Sequence, residues 1–235
     1  MHLFDCRTFI KERMKAILVF ISCFFIVMAG VSCNRQQQPV SKDSKEEIVS
    51  IDYSGRKPEK ELLLDHLRLK ADSARIYCKA KGFSEQHCIL VNFSIHSGKQ
   101  RYFVWDFEKD TVAFTSLCAH GMGRESTQEK PVYSNDEGSY CSSLGRYKIG
   151  ISSYSQYGIH IHYKLHGQDA TNSNAYKRIV VLHSHSPIPD RDIYPYHLPL
   201  GYSLGCPVIS DAAMRKTDSL LKESKKPVLL WIYEE

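Results

Sequence analysis

The chain has no apolar run of the ~20 residues that an α-helix needs to cross a bilayer. It has no internal repeat and no strong excess of either charge. Its net charge at neutral pH is +5 over 235 residues, too mild for the concentrated basic footprint of a nucleic-acid-binding domain. The acidic residues that would complete a histidine metal motif are also missing. His183-x-His185 is followed by Ser186-Pro187-Ile188, not by Asp-His. The length suits one main domain with appendages.

The N-terminus carries a targeting pattern. Arg13 and Lys15 precede Ala16 to Ala29, a run that is apolar apart from Ser22. A basic flank, a short apolar core and the small residues Ala29, Gly30 and Ser32 read as a secretory signal over residues 1–32, with Met14 as the natural start. Gly30-Val31-Ser32-Cys33 resembles a bacterial lipoprotein lipobox, which makes Cys33 the lipidated residue, although the aliphatic residue usual three positions earlier is Gly30 here. Plain cleavage near Ser32 and an uncleaved anchor are the alternatives. Two or more acyl chains on Cys33 would anchor stably, since each buried CH2 contributes ~0.8 kcal/mol. Loss of residues 1–32 removes four basic and two acidic side chains and lowers the net charge to +3. The expected location is the cell envelope, facing the periplasm, with a lipid anchor in a membrane.

The chain has eight cysteines. Cys6 and Cys23 fall in the signal, and Cys33 is the lipid candidate. In an oxidising compartment Cys78, Cys88, Cys118 and Cys141 either form bridges or act as small buried hydrophobes. Cys206 is the odd one out.

Residues 33–57 are polar and read as a flexible tether. Residues 58–82 read as a helix: Leu63, Leu67, Ala71, Ala74 and Cys78 make one stripe, Pro58 suits the first turn and Gly82 the stop. Residues 83–235 form the main domain. Cys88 to Ile95, Arg101 to Phe107 and Thr111 to Leu117 are strand-like and joined by tight turns, which predicts an antiparallel meander. Further strands are expected at Gly145 to Ile151, Ile159 to Leu165, Arg178 to His183 and Pro227 to Tyr233. Ser210 caps a helix ending near Lys226. The expected fold is mainly β, a barrel or sandwich with peripheral helices, preceded by one N-terminal helix.

Gly201-Tyr202-Ser203-Leu204-Gly205-Cys206-Pro207 places a cysteine between a glycine and a proline. Lys177-Arg178-Ile179-Val180-Val181-Leu182-His183 is an apolar run ending in a histidine. A thiol is the most nucleophilic common side chain, but only as thiolate, and its ordinary pKa near ~8.5 leaves little of it ionised at neutral pH. A nearby histidine can take the proton and hold an ion pair. Gly205 lets a substrate approach the backbone closely, and N–H groups around Gly205 and Cys206 can form an oxyanion hole, with Ser203 and Ser184 in support. The bland alternative is a buried cysteine beside an unrelated turn.

A series of short segments then occurs in one order. Asn92-Phe93-Ser94 is followed by Ala119-His120-Gly121-Met122-Gly123, by Ser134-Asn135 and by Gly138-Ser139-Tyr140-Cys141-Ser142-Ser143-Leu144-Gly145. Arg178 to His183 and Ser203-Leu204-Gly205-Cys206-Pro207 complete it. Over Leu90 to about Ile209 the chain resembles the murein L,D-transpeptidase catalytic family (YkuD-like), in the branch with a Ser-x-Gly-Cys-Pro nucleophile motif. The resemblance implies an L,D-transpeptidase-like fold and a monomer acting on peptidoglycan stem peptides, with no metal and no cofactor. By analogy Cys206 attacks the third residue's carbonyl in a donor tetrapeptide and expels D-Ala. The thioester then passes to an amine of another stem as a 3-3 cross-link, with His183 as base and then acid. Water as acceptor would make an L,D-carboxypeptidase of the same site. A mildly basic surface is compatible with an anionic wall polymer.

The chain departs from the family's pattern, where a position after the nucleophile is often arginine or asparagine and has no clear counterpart here. Leu204 stands where the wider family often has histidine, and Ser184-His185 stands where the branch has glycine then alanine. His185 is therefore a second candidate base. If the two fall on opposite sides of the strand, only one of His183 and His185 faces the thiol. The same departures allow an inactive wall-binding lipoprotein. His120 either lies near the cleft or makes a structural bond to a loop. Ser142 and Ser143 either line the substrate groove or serve a turn. Arg178 either pins the cleft wall, binds a substrate carboxylate, or is exposed. His160, His162 and His166 suit the polar face of a half-buried strand better than a zinc site. Tyr194, Tyr196 and His197 either form a lid or pack their loop on the domain.

Overall fold

A computed structural model describes residues 58–235. The signal, Cys33 and the tether lie outside the described residues. Helix α1 (Glu59–Lys81) starts behind Pro58, whose missing N–H costs nothing at a helix start. Its buried stripe is Leu67, Ala71, Ala74 and Cys78. Gly82 ends it in the left-handed region at φ 72°, and the cap N–H donates to the Cys78 carbonyl. Each of these features follows the spacing read from the sequence.

Nine strands follow among the described residues: β1 (His87–Asn92), β2 (Tyr102–Asp106), β3 (Thr111–Ser116), β4 (Cys118–Ala119), β5 (Gly145–Tyr154), β6 (Ile161–Gly167), β7 (Val181–Ser184), β8 (Val208–Ile209) and β9 (Leu229–Tyr233). A second helix, α2 (Asp211–Glu223), precedes β9, and the Ser210 hydroxyl caps it by accepting the Ala213 N–H. The sheet order is β3-β2-β1-β9-β5-β6-β7-β8-β4. The outermost strands, β3 and β4, are separated in sequence by Leu117 alone. One nearly continuous stretch of chain therefore borders both edges, and the sheet curls into a nearly closed barrel.

The two faces of the sheet build two cores. Ile89 and Val91 of β1, Tyr102 and Val104 of β2, and Leu230 and Ile232 of β9 point inward with Tyr147, Leu165, Leu182 and Met214. The alternate residues Cys88, Leu90, Phe103, Trp105, Leu229 and Tyr233 point outward and are covered by the α1 stripe. Strands buried on both faces read as unbroken apolar runs rather than as alternation, as β1, β2 and β9 do. Cys78, Cys88, Cys118 and Cys141 are free and buried, in keeping with their reading as small hydrophobes. Burial raises the thiols of Cys78 and Cys118 to about 12.

The expected meander β1-β2-β3 is present and antiparallel. Four details differ from expectation. The strand placed at Arg178 begins at Val181, because Arg178, Ile179 and Val180 donate their N–H groups to the turn carbonyls of Asn174, Tyr176 and Ala175. The strand placed at Ile159 begins at Ile161, since His160 sits in a turn at φ 63°. β9 runs parallel to β1, a pairing distant in sequence. β4 and β8 are two residues each, too short for a periodic signal.

His120 proves to be structural. Arg101 is fully buried and donates to the carbonyls of Cys118 (2.7 Å) and Ile95 (3.2 Å) and to His120 Nδ1 (2.8 Å). Because Nδ1 accepts, the ring proton is on Nε2, which donates to the Thr127 carbonyl at 2.8 Å. Burial, then the Arg101 charge, lowers the His120 pKa to about 4. The native state thus keeps this ring neutral while the unfolded chain protonates it near its ordinary value of about 6.5. Its contribution is complete above that value and is lost as pH falls toward 4. Chemical denaturation at pH 7 and pH 4 should show a loss on the order of 3 kcal/mol from this source. His120→Gln should shrink that difference. An undiminished pH dependence in the variant would assign it elsewhere.

Candidate active site

The parallel pairing of β7 with β8 sets His183 opposite Val208 and Ser184 opposite Ile209. The turn that leads into β8, residues 203–207, therefore lies over the start of β7. Ser203 staples this turn: its hydroxyl accepts the Gly205 N–H at 3.0 Å and donates to the Cys206 carbonyl at 2.6 Å. Gly205 has φ 112°, and a Cβ there would lie 2.7 Å from the Cys141 carbonyl oxygen, so both torsion and space require glycine. The expectation that Gly205 N–H serves an oxyanion hole is corrected, since Ser203 consumes it. The Cys206 N–H is the donor left beside the thiol, as Pro207 has none.

The Cys206 side chain opens on a cleft of about 700 Å³ whose walls include Arg178, Val181, His183, His185, Tyr157 and Tyr202. Its Sγ accepts the Val181 N–H at 3.4 Å and lies 3.9 Å from the Ile179 carbonyl. Among the described residues both polar partners of the thiol are backbone, and no hydrogen bond joins it to an imidazole. His183 is two residues beyond Val181 and so on the same face of β7, about 6.6 Å farther along the strand. His183 Nδ1 is 3.0 Å from the Ser184 carbonyl. A carbonyl only accepts, so Nδ1 carries the proton and Nε2 presents its lone pair. Ser184 has a second task. Its hydroxyl accepts the Ile159 N–H at 3.0 Å, which holds the β5–β6 loop down and sets the Tyr157 ring 5.7 Å from the His183 ring.

The expectation that only one of His183 and His185 faces the thiol is also corrected. Residues two apart share a strand face, and both rings line the cleft. His185 packs edge-on against Tyr157 (5.8 Å) and Tyr202 (4.9 Å).

Arg178 pins the cleft wall. It donates to the carbonyls of Ser134 (2.8 Å) and Cys141 (2.6 Å) and to the hydroxyls of Ser143 (2.5 Å) and Ser139 (3.2 Å). Ser142 and Ser143 do not line the cleft. Both are buried, Ser142 accepting the Gly121 N–H and Ser143 donating to the Ser134 carbonyl. Their short hydroxyls satisfy turn backbone behind the wall. His120 lies with Arg101, outside the cleft.

His160, in the turn before β6, and the β6 histidines His162 and His166 separate. His160 stacks on Tyr154 and His166 on Tyr176, whereas His162 lines the cleft. Tyr194, Tyr196 and His197 are no lid. His197 stacks on His96 at 3.7 Å, and Ile193 and Tyr194 donate to the Gly98 carbonyl, so their loop packs on the turn after β1. The cleft tyrosines Tyr154, Tyr157 and Tyr202 were not singled out as cleft residues from the sequence, because isolated tyrosines in loops carry no periodic signal.

A family model described as the L,D-transpeptidase catalytic domain matches residues 59–233. The chain belongs to this family. The match takes in α1 and β9, beyond the Leu90–Ile209 span of the sequence resemblance. Among solved structures, the chain is similar to a K307A mutant of the helical cell shape determining protein Pgp2 from Campylobacter jejuni (13% identity, TM-score 0.43, 63% of this chain and 47% of that one). It is similar to an L,D-transpeptidase from Xylanimonas cellulosilytica (13%, 0.34, 63% and 60%) and to Bdellovibrio bacteriovorus Bd1075 (16%, 0.39, 64% and 49%). The chain thus spans about half to three-fifths of these proteins' lengths. No curated protein matches it. The fold is that of the L,D-transpeptidases, and the family acts on peptidoglycan peptides.

Burial shifts the thiol and the imidazole of the cleft in opposite directions. Burial raises the Cys206 pKa, against the lowering effect of the Val181 N–H and the Arg178 charge. Burial lowers that of His183, and His162 and His185 lower it further, against the Ser184 bond. A raised thiol and a lowered imidazole rest as a neutral pair. Both directions work against the ion pair expected from the sequence. Alkylation of Cys206 by iodoacetamide should accordingly climb steadily from neutral pH into the alkaline range, above ordinary thiol behaviour. A plateau of high reactivity at pH 5–7 would reveal a preformed thiolate and contradict this assignment.

Proposed function

We propose that the chain is an exported cysteine acyltransferase that forms 3-3 cross-links between peptidoglycan stem peptides through a Cys206 thioester, with His183 as base. One observation carries the reading: a half-exposed thiol shares a cleft with an imidazole whose Nδ1 is tied to the Ser184 carbonyl, leaving Nε2 free. In the first half-reaction Nε2 takes the Sγ proton as sulfur bonds to the third residue's carbonyl carbon. The Cys206 N–H donates to the resulting oxyanion. The carbon–nitrogen bond to the terminal D-Ala then breaks, and the nitrogen leaves with the proton from His183. In the second half the acceptor's neutral amine attacks the thioester, His183 takes the amine proton, and sulfur departs and regains it. Each half ends with a neutral His183, which matches a pair that rests uncharged.

Intact-mass measurement after incubation with a stem tetrapeptide should show an adduct equal to the substrate less D-Ala. Cys206→Ala should show none. His183→Ala should slow its formation by about 100- to 10,000-fold. Cross-linked dimers identify the transferase, tripeptide alone identifies the L,D-carboxypeptidase, and wall-fragment binding without any adduct identifies an inactive binding protein.

Lipidation at Cys33 and a periplasm-facing envelope location complete the proposal, supported by the signal pattern and the Ser32-Cys33 junction. Metabolic labelling with an alkyne fatty acid should tag the wild-type chain and fail with Cys33→Ser. Equal labelling of both would remove the anchor.

A further inference from the structure

Among the described residues the cleft is lined by three imidazoles and one guanidinium and by no carboxylate. Two of the imidazoles are a cross-strand pair. His162 on β6 stands opposite His183 on β7 in antiparallel register. Directly opposed residues leave the sheet on the same face with Cβ atoms ~4.5–5.5 Å apart, and both rings reach the cleft. The acyl-transfer steps above use His183 and leave His162 without a task.

We propose that His162 is a positioning residue for His183: a cross-strand imidazole that keeps the His183 ring in its neutral, proton-accepting form. The inference rests on the reading of His183 as base.

Apart from the Ser184 carbonyl, which favours the protonated ring, the surroundings of His183 disfavour its charge. From β6 it faces His162, with Lys164 two residues along on the same strand face. From the β5–β6 loop it faces the uncharged Tyr157 ring, and from its own chain His185. Arg178 stands in the turn before β7, Cys206 in the nucleophile turn, and β8 presents the apolar Val208 opposite it. Apart from the Cys206 thiol, which burial keeps toward its neutral form, the ionisable groups among these can carry only positive charge near neutral pH. A proton on either member of the pair therefore makes a second proton on the other more costly, and the two titrate as a coupled unit. Burial followed by neighbouring charges lowers both rings, with His162 among the causes at His183 and Lys164 among those at His162. A carboxylate partner would do the reverse and hold an imidazolium. An imidazolium has no lone pair on Nε2 and cannot take the thiol proton. Ser184 fixes which nitrogen is free, and His162 keeps that nitrogen unprotonated.

The test is histidine-selective NMR titration of the full chain as wild type, His162→Gln and His162→Lys, alongside the acid limb of thioester formation. With glutamine the partner charge disappears. The His183 midpoint should rise by on the order of one pH unit, and the acid limb should rise with it. With lysine the charge is permanent, and both should move down. Opposite shifts cannot come from general loosening of the cleft, which would move both variants alike. An unchanged His183 midpoint in both variants, or shifts of the same sign, would overturn the proposal. If the midpoints move as expected while no form of the protein makes a thioester, the imidazole coupling stands and the acyl-transfer reading fails.

Discussion

The parallel seating of β8 against β7 is the constraint on which the cleft depends. β8 has two residues, yet its register sets Val208 against His183 and so carries the preceding turn over the start of β7. The thiol of Cys206 then takes the Val181 N–H, a donor left free where β7 begins. The turn does not hold this position alone. Ser203 closes it from within. Gly205 lets it press against the Cys141 carbonyl, and Arg178 fastens that same carbonyl to the wall. Displacing any of these parts would move the sulfur relative to the imidazole without touching either.

Charge in the cleft follows from the same arrangement. An imidazolium beside a cysteine is one way to hold a thiolate, and an imidazolium is favoured by negative or carbonyl partners. Here the one carbonyl on His183 comes from Ser184, and it is outweighed by burial and by the neighbouring rings. Burial also disfavours the bare thiolate. The two effects agree on a neutral resting pair, so proton transfer belongs to the reaction rather than to the ground state.

Much of the scaffold was legible in the chain. The α1 stripe and its Gly82 stop are local, and each depends on helical spacing and one backbone torsion. The meander was legible because tight turns join neighbours in sequence. The closure of the barrel was not, because it rests on β9 joining β1 in parallel and on β3 and β4 bordering opposite edges through Leu117. The β9–β1 and β4–β8 pairings link residues far apart in sequence and leave no periodic trace. Among the candidate site residues, Cys206, His183, His185 and Arg178 meet at one cleft. His120, Ser142 and Ser143 belong to buried networks behind it. A histidine between small residues looks the same whether it faces a cleft or accepts from a buried arginine, and only the position of Arg101 separates the two.

By itself the amino-acid sequence determined the family, the class of fold and the pair of segments that bring a thiol and an imidazole together. Ordered local motifs carry that information, since each needs only its own neighbours to be recognised. Tertiary structure alone decided which histidines share the cleft, that the Gly205 N–H is already taken by Ser203, and that burial disfavours charge on both Cys206 and His183. Those outcomes depend on burial and on charges brought close by non-local strand pairing, and neither is a property of any stretch of chain taken alone.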